Sequence, residues 1–250
     1  MKKLLTYAVV IGTIVWSLGL GVSVQAASAA YVPTAGDVIK VNAADRPAVY
    51  IVGSDLKTYV FSTRNTYGSY YYDFSLLKNI SQADFDEMTM GGNITVRPGS
   101  LIKFDNSNNA YAVVPGNKLC KLATDADAKI LYGNDYAARV LMIQVSFVSN
   151  YTVDPSGALT KDSKLPDGTL IQYAGSPKTI YYIENGQKKL VSDEAFIANS
   201  LGTAIIVENV PTTMIYENGA SITGKNAALS SVRLTNSSVT APITEIIKNF

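Results

Sequence analysis

The clearest pattern of apolar and polar positions lies between residues 168 and 202. Leu170 to Tyr173 is a short strand-like run, and Gly175-Ser176-Pro177 turns the chain. Thr179-Ile180-Tyr181-Tyr182-Ile183 follows, rich in β-branched and aromatic residues, and then Gln187 to Val191. Between these runs sits Glu184-Asn185-Gly186. Asn-Gly flanked by apolar residues is a strong hairpin signal, because both turn residues must take positive φ. A helix start comes next. Ser192 is placed to cap the free amides, Asp193 and Glu194 suit the positive helix end, and Ile197 and Leu201 share a face at i, i+4. Gly202 is the expected stop.

The same pattern occurs three times. Gly36-Asp37-Val38-Ile39-Lys40, Gly99-Ser100-Leu101-Ile102-Lys103 and Gly168-Thr169-Leu170-Ile171-Gln172 each open a copy. Gly53-Ser54-Asp55 and Pro115-Gly116-Asn117 stand where the third copy has its Asn-Gly turn. Thr124-Asp125-Ala126-Asp127 begins a helix that Gly133 ends, and Ser62 to Tyr67 takes that place in the first copy. Ser81-Gln82-Ala83-Asp84 is a further capping box, and Gly91-Gly92 reads as a closing turn. The expected fold is mainly β with short helices: three tandem β-hairpin-plus-helix units packed in series, rod- or propeller-like. The boundaries read as repeat 1 at 36–96, repeat 2 at 97–153, a polar linker at 154–167, repeat 3 at 168–224 and a polar tail at 225–250. Units of about 60 to 70 residues sit near the lower limit for an independent core, so they are expected to pack on one another.

Residues 1–29 read as a signal peptide. Lys2 and Lys3 precede an almost wholly apolar Leu4 to Val22, and small residues follow at Val24-Gln25-Ala26 and Ala27-Ser28-Ala29. Uncleaved, this segment would be the one membrane contact expected. The chain is thus expected to be secreted or at the cell surface. The single cysteine, Cys120, alternates with lysines and is expected to face inward as a small apolar residue. With no histidine at all, Ser-His-Asp triads, Cys-His pairs and HExxH zinc sites are excluded. Without Lys2 and Lys3 the charge balance is 19 basic to 20 acidic residues, which argues against a nucleic-acid groove.

Candidate chemistry is sparse. Ser75-x-x-Lys78 and Ser100-x-x-Lys103 match the nucleophile motif of penicillin-recognising enzymes, without that class's other motifs. Asp105, Asn106 and Asn108 form a run of oxygen donors suited to calcium, the one candidate metal, although Asp and Asn are also ordinary turn residues. Asp125 and Asp127 lie before the linker, and Asp154, Asp162 and Asp167 punctuate it. Tyr70-Tyr71-Tyr72 suggests a contact surface for a sugar or partner protein; read as a strand, its members would face alternate sides.

Gly-x-Leu-Ile-Lys, then Val-Tyr-Tyr-Ile-Glu-Asn-Gly-Lys-Lys, is a repeat pattern of exported bacterial proteins, and the third copy resembles it. Ala48-Val49-Tyr50, Thr58-Tyr59-Val60-Phe61, Gly91-Gly92-Asn93-Ile94-Thr95, Arg97-Pro98-Gly99 and Phe147-Val148-Ser149-Asn150-Tyr151-Thr152 are similar to the amino-terminal repeats of surface-layer-like proteins from small-genome candidate-phylum bacteria. Gln172 and Cys120 depart from that pattern. The resemblance implies an exported structural or interaction protein at the cell surface, self-associating or bound to cell-wall polymer, and it transfers no catalytic residues. Two alternatives stand beside it: a cell-wall glycan-binding accessory module, and a carboxylate-dependent hydrolase.

Overall fold

The computed structural model describes residues 30–43, 47–202 and 205–235, so the leader assigned to residues 1–29 lies outside it. From residue 31 onward the chain builds three sheets, one per copy of the pattern. The first copy contributes β1 (Val38–Val41), β2 (Val49–Val52), β3 (Thr58–Phe61), α1 (Arg64–Gly68), β4 (Leu77–Ile80), α2 (Gln82–Asp86) and β5 (Met90–Ile94). The second contributes β6 (Leu101–Phe104), β7 (Ala110–Val114), β8 (Lys118–Lys121), α3 (Asp125–Tyr132), β9 (Val140–Ile143) and β10 (Thr152–Val153), with 3-10 turns on both sides of β9. The third contributes β11 (Leu170–Tyr173), β12 (Ile180–Glu184), β13 (Gln187–Val191), α4 (Asp193–Ala198), β14 (Ile206–Val210) and β15 (Glu217–Asn218).

All three sheets share one plan. The strands run β5-β3-β2-β1-β4, β10-β8-β7-β6-β9 and β15-β13-β12-β11-β14 across them. The first three strands of each copy form an antiparallel meander. The fourth strand then lies parallel beside the first, and the fifth parallel beside the third. The glycine-led phrases hold equivalent places in this plan. Gly36, Gly99 and Gly168 have φ of 91°, 90° and 94°. Their amides donate to the carbonyls of Val52, Val113 and Ile183 at 2.8, 2.7 and 2.8 Å. The amides of those three residues return to the carbonyls of Asp37, Ser100 and Thr169, each at 2.9 Å.

After each meander a hydroxyl starts a helix. Thr63, Thr124 and Ser192 all have extended backbone and accept a bond from the amide three residues on. Gly133 ends α3 at φ 90°. The expected stop at Gly202 is corrected: α4 ends at Ala198, and Ser200 takes the left-handed angle at φ 52°. Gly91-Gly92 is likewise not a turn but lies inside β5. A Cβ on Gly91 would sit 2.4 Å from Cζ of Tyr59, so the strand is bare there because the tyrosine ring covers it.

The middle sheet is buried on both faces. Ile102, Phe104 and Val113 meet Ile39, Tyr50 and Val60 of the first sheet. Leu101, Ala112 and Cys120, with Leu131 and Tyr132 of α3, meet Ile171, Ile183 and Val207 of the third. Double burial explains why β7 reads as a continuous apolar run instead of alternating. Residues 154–167, read as a linker, are docked here. Leu159 bridges to Leu122, Leu165 is 2% exposed, and the Lys161 amide donates to Asp127 at 2.7 Å. Within the segment read as a polar tail, Ala227–Ser230 form α5 and Leu234–Thr235 form β16. Leu229 joins the α4 side of the third sheet, whereas Val232 and Leu234 pack on the α1 side of the first, where β16 pairs with β5. This segment therefore ties the last copy to the first.

Candidate functional site

A concavity lies between the helices of the first two copies and the fourth strands of the second and third. The side chain of Asn65 in α1 donates to the Met142 carbonyl of β9 at 3.2 Å. Arg139, just past α3, donates from Nη1 to the Ile206 carbonyl of β14 at 2.8 Å and from Nη2 to the Tyr132 carbonyl. The helix of one copy is thus stitched to the fourth strand of the next, twice over. Between these stitches lies a cleft of about 1030 Å³, lined by residues from all three copies.

Its walls follow from local sequence. The segment after α1 brings Tyr72 and Phe74 to the rim, 64% and 44% exposed, and α3 presents Ile130 at 53%. Phe74 stacks on Tyr67 with ring centroids 4.7 Å apart, and the Arg64 guanidinium lies 6.0 Å from the Phe74 centroid. Three cations, Arg64, Lys129 and Arg139, are matched by three acids, Asp73, Asp135 and Glu208. Arg139 and Asp135 pair at 3.7 Å. Ser100, also in the lining, is 7% exposed, and its buried Oγ has no hydrogen-bond partner among the described residues.

The tyrosine triplet is not a strand. Tyr67, Tyr70 and Tyr71 follow helical i, i+3, i+4 spacing, and Phe61 meets all three rings at 5.1, 6.4 and 6.0 Å. Tyr70 is 4% exposed and its hydroxyl accepts the Arg233 amide. Tyr71 is half-buried, and burial pushes its hydroxyl up to about 12. Both Tyr71 and Tyr72 line the cleft, and of the triplet Tyr72 alone is exposed. The signal that would have found this cleft is the helical tyrosine spacing combined with the three-copy alignment of the helices.

Asp105, Asn106 and Asn108 lie exposed on the turn between β6 and β7. Asp105 accepts the Val145 amide at 3.0 Å, and Asn109 donates to Ser107 at 3.1 Å. Among the described residues, no group of three or more His, Cys, Asp or Glu is gathered. The other acids are engaged locally. Asp125 accepts from Lys129 and Tyr136, each at 2.6 Å, and those two bonds hold its carboxyl below the ordinary value. Asp127 accepts from Thr124 and from the Lys161 amide and is lowered in that order. Asp154 binds the Ser156 hydroxyl and amide, Asp162 pairs with Lys161, and Asp167 accepts the amides of Asn185 and Gly186 at 2.7 and 2.9 Å. Ser100 and Lys103 are three apart across a strand start and so point to opposite faces, while Lys78 is bound to Asp37 at 2.7 Å. Neither Ser-x-x-Lys match forms a reactive pair. Cys120 is 3% exposed and burial pushes its thiol up, as an apolar inward residue requires.

Among the described residues, no helix is long and apolar enough to cross a membrane. No protein-family model matches the chain. No curated protein matches it. Among solved structures, a chain from the periplasmic assembly of the ESX-5 inner membrane complex aligns over 82% of this chain and 70% of its own length, at 12% identity and a TM-score of 0.20. A superposition at that level supports no argument about fold or role.

Proposed function

We propose that the chain is an exported interaction protein of the cell envelope that works through shape and binding, without catalysis. The observation that carries this reading is the reuse of one frame three times, with the same backbone bonds at Gly36, Gly99 and Gly168. Tandem units that share cores favour a rigid body presenting surface over a unique reactive centre. The state of the acids supports it. Displaced carboxylates such as Asp37, Asp73, Asp125, Asp127 and Asp154 are all displaced downward, the reverse of what a general acid needs. The apolar leader-like start supports export, and the resemblance to surface-layer-like repeats supports self-association or contact with wall polymer as the role.

The test is location. Cells expressing the full chain are fractionated, and intact cells are treated with protease. The reading expects the protein in the medium or on the surface, cleaved by external protease. Retention in the cytoplasm of intact cells contradicts it.

A further inference from the structure

The three sheets share one plan, and the first departs from it at one edge. The second and third sheets hold five strands each, with β10 and β15 at the corresponding edge. The first has a sixth strand there, β16, laid on β5 by chain that arrives from the third copy. This strap, residues 226–235, is held by few contacts. On the first sheet, Leu234 and Thr235 pair with Ile94 and Asn93. The Thr95 amide donates to the Arg233 carbonyl and the Arg233 amide to the Tyr70 hydroxyl, both at 3.1 Å. At the third copy, the Asn226 amide donates to Asn199 Oδ1 at 2.8 Å and the Tyr182 hydroxyl to the Ala228 carbonyl at 3.3 Å. Leu229 is 1% exposed, whereas Val232 and Leu234 are only partly buried. Apolar burial is the main stabilising term, so this strap is held less firmly than the sheets it crosses. The cores that the sheets share draw on no residue later than Tyr216 among the described residues, so they do not need the strap in place.

Against the strap lies a charge that works against closure. Arg97 is 4% exposed; its Nη2 donates to the Leu229 carbonyl, and its Nη1 has no partner among the described residues. The ionisable groups that act on it are the hydroxyls of Tyr70, Tyr182 and Tyr71 and a second cation, Arg233, none of them a carboxylate. A guanidinium taken out of water without an opposite charge is unfavourable, and one bond to a carbonyl offsets only part of that cost. Because Nη2 touches the strap directly, releasing the strap returns that end of the guanidinium to water. We infer that residues 226–235 form a latch, which lifts off as a unit while the three sheets stay folded, and that the buried charge of Arg97 favours the lifted state. Lifting frees the edge of β5 and the hydroxyls of Tyr70 and Tyr182, a surface that the closed molecule hides. This goes beyond the interaction reading and does not depend on it.

The test is native-state hydrogen exchange on the full chain, read at the Thr95 and Arg233 amides, whose bonds cross from the first sheet to the strap. Both are expected to exchange about a hundredfold or more faster than the amides of Val52, Val113 and Ile183, which sit inside the meanders. Thr95 and Arg233 sharing one opening free energy with those three overturns the latch, and this comparison needs no variant. The role of the charge is read from Arg97→Met, which fills the same space without it, and from Arg97→Gln, which keeps a donor but no charge. Each should slow exchange at Thr95 and Arg233 by about fivefold or more, because the closed state no longer buries an unpaired cation. Faster exchange in these variants, or no change, makes Arg97 a pin or a bystander and overturns the assignment. Neither result bears on where the chain resides, which the location test reads separately.

Discussion

Gly36, Gly99 and Gly168 share a backbone angle but not an environment. At Gly36 an added Cβ would meet nothing within 4 Å. At Gly99 it would lie 2.1 Å from the Gly168 carbonyl oxygen, so the opening phrases of the second and third copies touch through bare backbone. The sequence made the shared phrase visible through its spacing; the contact between two of its copies was hidden, because it joins residues 69 positions apart. Two alanine substitutions separate conformational strain from crowding. Gly36→Ala should lower unfolding stability in urea by about 1–2 kcal/mol, the usual cost of a left-handed angle. Gly99→Ala should cost clearly more than Gly36→Ala, because backbone must move. Equal losses would mean that the two copies do not meet there.

At the scale of elements, turns and caps are legible in the sequence and the pairing of the edge strands is not. Asn185 and Gly186 take φ of 54° and 69° in a two-residue hairpin, as their side chains dictate. Asp167 then holds both turn amides with one carboxylate, a long-range contact that only the fold reveals. Asp167→Ala should therefore destabilise by about 1–3 kcal/mol in thermal or urea unfolding, while Asp162→Ala, an exposed pair with its neighbour Lys161, should change stability by less than about 0.5 kcal/mol. Thr124→Ala, which removes the cap of α3, is expected to cost about 1 kcal/mol by the same measurement. The parallel pairing of the fourth and fifth strands escapes a local reading because it spans long connections, as between Val38 and Leu77. The tyrosine triplet is not a strand for a related reason. Its composition favours a strand, but packing on Phe61 selects the helical face that starts at Tyr67.

At the scale of the whole molecule, charge and burial set a simple response to pH. No histidine is present, so little titrates near neutrality and the Tm should be flat between about pH 5 and 9. On the acid side, burial pushes Asp37 up, but hydrogen bonds from Lys78 and Tyr31 outweigh it and hold the carboxyl below its ordinary 3.8. Asp125 and Asp127 are lowered as well. Lowered carboxylates contribute stability above their unfolded values, so it should fall as pH drops from about 4. On the alkaline side, burial raises Tyr71 from 10.0 to about 12, and Tyr70, Tyr151 and Tyr216 are raised by burial too. Raised tyrosines contribute fully below their unfolded value, and that stability should be lost as pH climbs from about 10. A Tm profile across pH checks both limbs; a step near pH 6 to 7 would contradict it.

Shared cores make a stronger claim, that the three copies are one body. The second sheet is covered on both faces by its neighbours, and residues 226–235 return from the third copy to the first. Along that return the Arg97 side chain, 4% exposed, donates to the Leu229 carbonyl, and the Tyr70 hydroxyl takes the Arg233 amide. Native-state hydrogen exchange at Val52, Val113 and Ile183 tests this most directly, because these amides make the same bond in each copy. All three should rank among the slowest and report one common opening free energy. If Ile183 opened at a markedly lower free energy while Val52 and Val113 stayed protected, the copies would be separate modules and the single-body account would be wrong.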